Sequence, residues 1–591
     1  MHVTGTIGKV VIARQRFARV WGLGDRKSPV AMTPALVTLE GDEIPIELSP
    51  FTSSLSSQIP ASLSLRSNLP LSPPNFSENA PNWDVSLGHV LPPSMEEADA
   101  GEKAGLGGLL PISWQRMNFD SDLMDPEIDP QIIVLTDAPQ LVNLPGKLGE
   151  ALLTIKKKFP QSLIWTPGIA GPDNLPLLAW MGVDLFDLSR SRMACASNLL
   201  LDDTGPRNPN PELGEDSSMN SQLEAWRVSI SKVRSGIKNG NLRSLVDACV
   251  LSSAKLVERL RRFDNLCSQH NGILSMIPSG NSFDSYSHNI LSDPLVKDWE
   301  DFIGKSYRAP ENMNKCLLLL PCSARKPYSL SKTHQKFRDA TRGLNAHEVM
   351  VTSPLGLVPR DLEEVWPAAH YDIPVTGEWS LDEVAKTQEL LNSLIKNNSY
   401  EYIIDHSGMG LEVKDVHYID SRLGKSATSR EGLDQLSAAA KQVMSNINVP
   451  KISPTKRKID MYKSVARKNM LNDDWLDDVI LKGKPPRHKL EVNGKQIAQW
   501  NLERGGFSLA KASIPIMEQS NSLRSIDIIG NEKLKGDIHI NILNDFDKEI
   551  KAGEYFLIYQ NQSAVGLGRA IAPAWEWAGT PGALAKLHQK L

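Results

Sequence analysis

The sequence predicts a multidomain α/β protein: an N-terminal TIM-barrel-like (β/α) domain, a central parallel-sheet α/β domain, a small α+β domain and a C-terminal β-barrel. Three observations carry this. The chain has 591 residues, too many for one hydrophobic core. Short β-branched apolar runs alternate with helical patterns in two separate regions, the signature of parallel βα units. Residues 525–591 instead hold short strands separated by turn signals, which imply a small barrel.

Composition narrows the class. Charged residues make up 23% and hydrophobic ones 41%, as in ordinary soluble globular proteins. No apolar run is long enough to span a bilayer, and the N-terminus lacks a signal-peptide pattern, so a cytoplasmic protein without a membrane partner is expected. Five cysteines are scattered without a CxxC pair, which argues against a disulfide framework and a cysteine zinc site. The formal charge of −4 does not mark a nucleic-acid binder, but net charge averages over domains and RNA binding depends on local patches.

The barrel-like domain is expected over 1–266. It opens with strands at Gly8–Arg14, Ala18–Trp21 and Thr33–Val37. Residues 49–120 turn to Ser, Pro, Leu and Asn and are expected to form an irregular, disordered insertion. Strands at Gln131–Asp137, Ser162–Ile169 and Gly182–Asp187 then alternate with helices at Lys147–Lys158 and Asn174–Met181. Asp137, Thr166 and Asp187 stand at the strands' C-terminal ends, where a (β/α) barrel places its chemistry. Asp137 also suits a helix cap. Helices follow over 218–264, and the polar stretch 267–312 is expected to be a linker.

The central domain is expected over 313–426, with strands at Leu317–Leu320, Glu348–Thr352 and Glu401–Asp405 and a helix at Ser380–Asn397. Each strand opens into a polar loop: 321–334, 353–360 and 406–410. Three such loops from one parallel sheet converge on one edge. The first loop is the richest in chemical groups, running Pro321-Cys322-Ser323-Ala324-Arg325-Lys326-Pro327-Tyr328-Ser329-Leu330-Ser331-Lys332-Thr333-His334. A linker is expected over 427–460 and the α+β domain over 461–524. Lys456, Arg457, Lys458, Lys463 and Arg487 make this region locally basic, either as a solvated face or as a patch for RNA phosphates. Arg569, after Gly568, is either a packing point or an RNA contact.

The first loop fits the pattern Pro-Cys-x3-Lys-Pro-Tyr-x2-Ser-x2-His of the archaeosine synthase family, which is related to tRNA-guanine transglycosylases. Pro321, Cys322, Lys326, Pro327, Tyr328, Ser331 and His334 match every fixed position. Thr352–Gly356 and Pro367–Pro374 resemble the same core domain. Thr33-Pro34-Ala35 and Gly182–Asp187 resemble a transglycosylase barrel, and the C-terminal module is similar to a PUA RNA-binding domain. The resemblance implies addition of lysine to the nitrile of 7-cyano-7-deazaguanine (preQ0) in the D-arm of tRNA. It also implies free lysine and preQ0-tRNA as partners, with a radical SAM partner subunit in some lineages. Homodimerisation is left open. No cofactor is required. The zinc site of the transglycosylases is not expected, because Asp203–Ser221 contains no cysteine.

That chemistry needs a neutral amine, a base and a proton donor. His334 is the expected base, Tyr328 or Lys326 the donor, and Ser331 completes the catalytic set. Alternatively, Lys326 lowers the pKa of Cys322, which either attacks the nitrile first or packs at the strand end. Arg360 is expected to hold the amino acid's carboxylate or to form a surface ion pair. Ser323, His370, Tyr371, Asp372 and Asp187 are further candidates for substrate binding. For His370, Tyr371 and Asp372 the alternative is a hydrogen-bonded structural loop, and for Asp187 a cap or ion pair. Two rival functions stand beside lysine addition: a base-exchange transglycosylase and a non-catalytic tRNA-binding subunit.

Overall fold

A computed structural model of the chain describes residues 7–25, 27–55, 62–67, 82–86, 109–114, 117, 123, 130–276, 283–284, 286–373, 377–447, 452–484, 486–530, 534–579 and 582–591. They fall into two compact units. The first holds the N-terminal residues up to Ile273 together with Ala572–Leu584, and the second continues to Ile571 and resumes at Ala585–Leu591. No helix among the described residues is long and apolar enough to cross a membrane.

In the first unit, β1 (Lys9–Gln15), β2 (Ala18–Gly24) and β3 (Pro29–Met32) form a small antiparallel sheet. An eight-stranded sheet follows, built from β4 (Ala35–Leu39), β5 (Phe51–Leu55), β6 (Ser62–Ser67), β7 (Asn82–Ser86), β8 (Leu109–Ile112), β9 (Ile132–Leu135), β10 (Leu163–Trp165) and β11 (Leu185–Asp187). Its order is β7-β6-β5-β4-β11-β10-β9-β8. The run from β5 to β8 is parallel, whereas β6 and β7 add antiparallel. The result is a half-barrel rather than eight parallel strands. Trp21, Leu23, Val37, Ile132, Val134, Leu163, Trp165 and Leu185 fill one hydrophobic core.

Helices α1 (Lys147–Lys158) and α2 (Leu175–Trp180) occupy the predicted positions. A short ribbon of β12 (Leu200–Asp202) and β13 (Gly205–Arg207) precedes α3 (Met219–Asn239), α4 (Leu242–Val250) and α5 (Ala254–Cys267). The Ser218 hydroxyl caps α3, and Gly240 ends it in the left-handed region at φ 71°.

The expected insertion over 49–120 is corrected in part, because β5 to β8 lie within it. Composition hid the alternation Ser62-Leu63-Ser64-Leu65, a period of two that suits a strand. The rest of that insertion lies outside the described residues.

In the second unit, a five-stranded sheet runs β17-β16-β15-β19-β20. Its members are β15 (Cys316–Pro321), β16 (His347–Thr352), β17 (Gly356–Pro359), β19 (Tyr402–Asp405) and β20 (His417–Asp420), and all but β17 run parallel. The pair β14 (Phe283–Asp284) and β18 (Tyr371–Asp372) lies apart from it. Strand β17 replaces the second half of the loop expected at 353–360.

Helices also occupy both expected linkers. Within 267–312, α6 (Pro294–Asp301) buries Val296 and Trp299, and the Trp299 indole donates to the Leu357 carbonyl at 3.0 Å. Next come α7 (Lys332–Ala340) and α8 (Leu381–Asn397), which starts on a Ser380/Glu383 capping box. Within 427–460, α9 (Arg430–Asn446) sets Leu436, Ala440 and Val443 in the core with Leu318, Leu320, Phe337 and Ile404. The polar residues between those positions masked a 3–4 apolar spacing.

The α+β region begins at α10 (Pro454–Asn469). It continues through an antiparallel sheet of β21 (Ile480–Lys482), β22 (Lys489–Val492), β23 (Lys495–Asn501) and β24 (Gly506–Leu509), and ends at α11 (Ile514–Gln519). The C-terminal sheet contains β25 (Arg524–Ile528), β26 (Asp537–Ile538), β27 (Leu543–Phe546), β28 (Tyr555–Gln560), β29 (Ser563–Ala570) and β30 (Ala585–Lys590), in the order β26-β30-β29-β28-β25-β27. Asn561 and Gln562, at φ 51° and 64°, make the predicted turn of its central hairpin.

Candidate active site

The parallel strands of the central sheet deliver their C-terminal ends to one cavity of about 420 Å³. Pro321 and Cys322 enter it from β15, Thr352 and Ser353 from β16, Ser407 and Gly408 from β19, and Arg422 from beyond β20. Tyr286, Trp379 and Glu383 help to wall it. The expected convergence of three loops therefore extends to a fourth. A concave, half-open pocket at the carboxyl edge of a parallel sheet is where open α/β folds bind ligands.

Two of the cavity's lining residues, Cys322 and Thr352, belong to a connected cluster of side chains. The Thr352 and Tyr371 hydroxyls are 2.6 Å apart, and Tyr371 hydrogen-bonds the buried Tyr328 hydroxyl. The Lys326 ammonium lies 4.0 Å from the centroid of the Tyr371 ring. Burial pushes the Cys322 thiol pKa up, opposed by the Thr352 hydroxyl and the Lys326 charge. Burial pushes Lys326 down, opposed by Cys322 and Asp372. Burial also raises both phenols, so Tyr328 and Tyr371 remain O–H donors at neutral pH. The cluster thus couples a half-buried thiol to an amine and to a chain of hydroxyls that can donate protons.

His334 adjoins the cluster, its ring centroid 5.4 Å from that of Tyr328, but its hydrogen bonding does not suit the predicted role of base. It is buried on α7, and its Nδ1 accepts from Arg360 Nη2 at 3.0 Å. An imidazole that accepts at Nδ1 carries its proton on Nε2 and has no lone pair left for a substrate. Burial, then the Arg360 charge, pushes its pKa down to about 3.

Arg360 is equally committed, donating to Glu348 at 2.8 Å and to Glu363 at 2.7 Å. It holds protein carboxylates, not the amino acid's. Ser331 caps α7 by accepting the Thr333 amide hydrogen at 3.2 Å, and the Ser323 hydroxyl donates to the Arg325 carbonyl at 3.1 Å. His370 packs on Trp366 with centroids 6.0 Å apart, and Asp372 accepts from Tyr286 Oη at 3.1 Å. His406 fastens the third loop through Ser421 and the Ala427 carbonyl, both at 2.9 Å.

In the half-barrel, the Asp187 carboxylate accepts from Trp165 Nε1 at 3.2 Å, the Gly168 amide at 2.8 Å and the Ser189 amide at 2.9 Å. Its oxygens tie the end of β10 and the loop after it to the turn after β11. Asp137 accepts from the Trp114 amide at 2.8 Å. Among the described residues, no group of three or more His, Cys, Asp or Glu is placed to hold a metal.

Part of the basic patch is paired. Lys463 meets Asp477 at 2.5 Å, Lys458 meets Glu364 at 3.8 Å, and Arg457 meets Glu348 at 3.8 Å. Lys456 and Arg487 are exposed. Arg569 donates to the Gly553 carbonyl at 3.1 Å and lies over the Tyr555 ring.

Sequence reasoning missed Thr352 and Arg422 as site residues. Thr352 was recognisable as the last residue of a predicted strand. Arg422 follows a four-residue, largely exposed strand with no apolar signature.

Residues 296–440 match a family described as a domain of unknown function, DUF5591. The chain is similar to archaeosine synthase of Haloferax volcanii, 27% identical over 74% of this chain and 78% of that protein. It is likewise similar to archaeosine synthase subunit alpha of Thermoplasma acidophilum (27%; 75% and 85%) and archaeosine synthase of Methanocaldococcus jannaschii (27%; 79% and 80%). Among solved structures, AF0587, a protein of unknown function, aligns with TM-score 0.39 at 20% identity over 50% of this chain and 99% of its own. A conserved PUA domain protein from Thermoplasma acidophilum aligns with TM-score 0.18 at 14% identity over 23% and 89%.

Proposed function

We propose that this chain acts in archaeosine biosynthesis as a tRNA-modifying transferase that adds an amine of lysine to the nitrile of tRNA-bound preQ0. The observation that carries the reading is the cluster of Cys322, Lys326, Tyr328, Thr352 and Tyr371, of which Cys322 and Thr352 line the cavity at the carboxyl edge of the central sheet. Similarity to archaeosine synthases over about three quarters of the chain supports it. The Thermoplasma acidophilum relative is named as an alpha subunit, which fits a separate partner, here a radical SAM enzyme acting on the lysine adduct.

The reaction is an addition in which no atom is lost. The Cys322 proton passes to the Thr352 hydroxyl as its sulfur attacks the nitrile carbon, and the Tyr328–Tyr371–Thr352 hydroxyl chain, so replenished, delivers a proton to the nitrile nitrogen. The product is a thioimidate. The lysine amine then attacks the same carbon and gives a proton to Lys326. As the C–S bond breaks, Lys326 passes that proton to the departing sulfur, which restores the thiol and the neutral amine, and an amidine remains. Lys326 suits proton acceptance because burial favours its neutral form. The neutral resting thiol is activated only when the nitrile and the amine are both at hand.

Incubation with preQ0-tRNA and lysine, followed by mass spectrometry of the modified nucleoside, tests this. A gain of one whole lysine, with no loss of water or ammonia, is expected. No gain would overturn the reading.

A further inference from the structure

Resting on the amine-addition reading, we infer that Arg422 is the specificity residue of the site and holds the carboxylate of the incoming amino acid. Two guanidines border the central cluster, and their surroundings differ. Arg360 is enclosed by Glu348, Glu363 and His334 and has no capacity left for a ligand. Arg422 lines the cavity shared with Cys322, Thr352 and Ser407. It donates only to backbone carbonyls, from Nη1 to Ser407 at 2.9 Å and from Nε to Lys425 at 2.8 Å. Among the described residues it pairs with no carboxylate. Five N–H groups on a guanidinium, two of them used, leave a charged edge with three donors.

The backbone is shaped to hold that group. Gly408 lies in the left-handed region at φ 77°, and a Cβ there would sit 2.0 Å from Arg422 Nη1. The guanidinium therefore packs against bare main chain at Gly408, where no side chain would fit. Its two carbonyl bonds orient the rest of it, and the backbone N–H of Arg422 is itself held by Asp420 Oδ1 at 2.8 Å. A flexible surface arginine would have none of these restraints. An arginine preorganised at its rear, without an acidic partner and facing a pocket of small-ligand size, matches a free carboxylate. Glu383, which also lines the cavity, has one oxygen held by the Ser380 amide at 2.8 Å and offers a counter-charge for an ammonium group. A zwitterionic amino acid meets complementary charges in this pocket.

The test compares L-lysine with L-lysinamide, which keeps the amines and removes the negative charge. The wild-type protein is expected to prefer lysine by roughly 10- to 100-fold in kcat/KM, the range for hydrogen bonds to a charged group. In Arg422→Ala that ratio should collapse toward one through loss of lysine use, with lysinamide use and the KM for tRNA unchanged. Arg422→Lys should recover part of the preference. Retained lysinamide use shows that the variant is folded. An unchanged ratio in Arg422→Ala, an equal loss of both substrates, or a raised KM for tRNA alone would overturn the assignment. A wild-type protein that adds neither amine would instead overturn the reading on which it rests.

Discussion

The half-barrel and the central sheet end in chemically similar ways and use those ends differently. Each delivers polar side chains to the carboxyl edge of parallel strands. In the half-barrel, the strongest candidate, Asp187, accepts three N–H groups and ties the ends of β10 and β11 together. In the central sheet, Cys322, Thr352 and Arg422 keep a face toward a cavity. Position at a strand end is therefore not enough: a group is available to a substrate only where the local backbone and neighbours leave its valences open. The same distinction separates Arg360 from Arg422, and His334 from Lys326.

Substitution at Lys326 should produce a large effect on rate. Lys326→Met is expected to lower kcat by about 10²–10⁴-fold, the range for loss of a proton-transfer group, with tRNA binding kept. Burial lowers the Lys326 pKa, so the neutral, proton-accepting form grows as pH rises through a value below that of free lysine. The wild-type rate should climb with pH and level off at a lower pH than a free lysine amine would give. The methionine variant should lack that limb, and stopped pH–rate profiles would show it.

His334 sharpens the contrast from the other side. With a folded pKa of about 3, below its unfolded value, it is neutral when folded and takes up a proton on unfolding in acid. Its contribution to stability is intact above about pH 6.5 and falls by about 1.4 kcal/mol per pH unit below that, until about pH 3. His334→Gln should flatten this part of the stability–pH curve, measured by urea unfolding, while activity at pH 8 falls far less than in Lys326→Met.

Asp187→Asn should have the smallest catalytic effect. Turnover is expected within about threefold of wild type, and unfolding should be easier by about 1–3 kcal/mol because buried N–H groups lose a charged acceptor. A thousandfold loss of turnover would place chemistry in the half-barrel after all.

Much of the architecture was legible in the sequence. The apolar runs at Leu317–Leu320, Glu348–Thr352 and Glu401–Asp405 lie in β15, β16 and β19, and α1 begins and ends where its pattern does. Elements whose apolar positions are diluted by polar neighbours were not legible, as in α9 and β6. Nor was β20, which presents only one central apolar residue, Ile419. In the site, residue type identified Cys322, Lys326, Tyr328 and Tyr371, because thiols, amines and phenols in one loop cluster are chemically informative. Residue type could not reveal engagement. The partners that occupy His334 and Arg360 lie on other elements, so only folding decides that both are closed to substrate.

The central claim is that chemistry happens at Cys322 and not at Asp187. It is tested most directly by the rate of lysine addition to preQ0-tRNA by Cys322→Ala, measured beside wild type and Asp187→Asn under identical conditions. The account predicts a loss of roughly 10³-fold or more for Cys322→Ala, as expected for removal of a covalent nucleophile, with Asp187→Asn near wild type. Near-normal turnover by Cys322→Ala would contradict it.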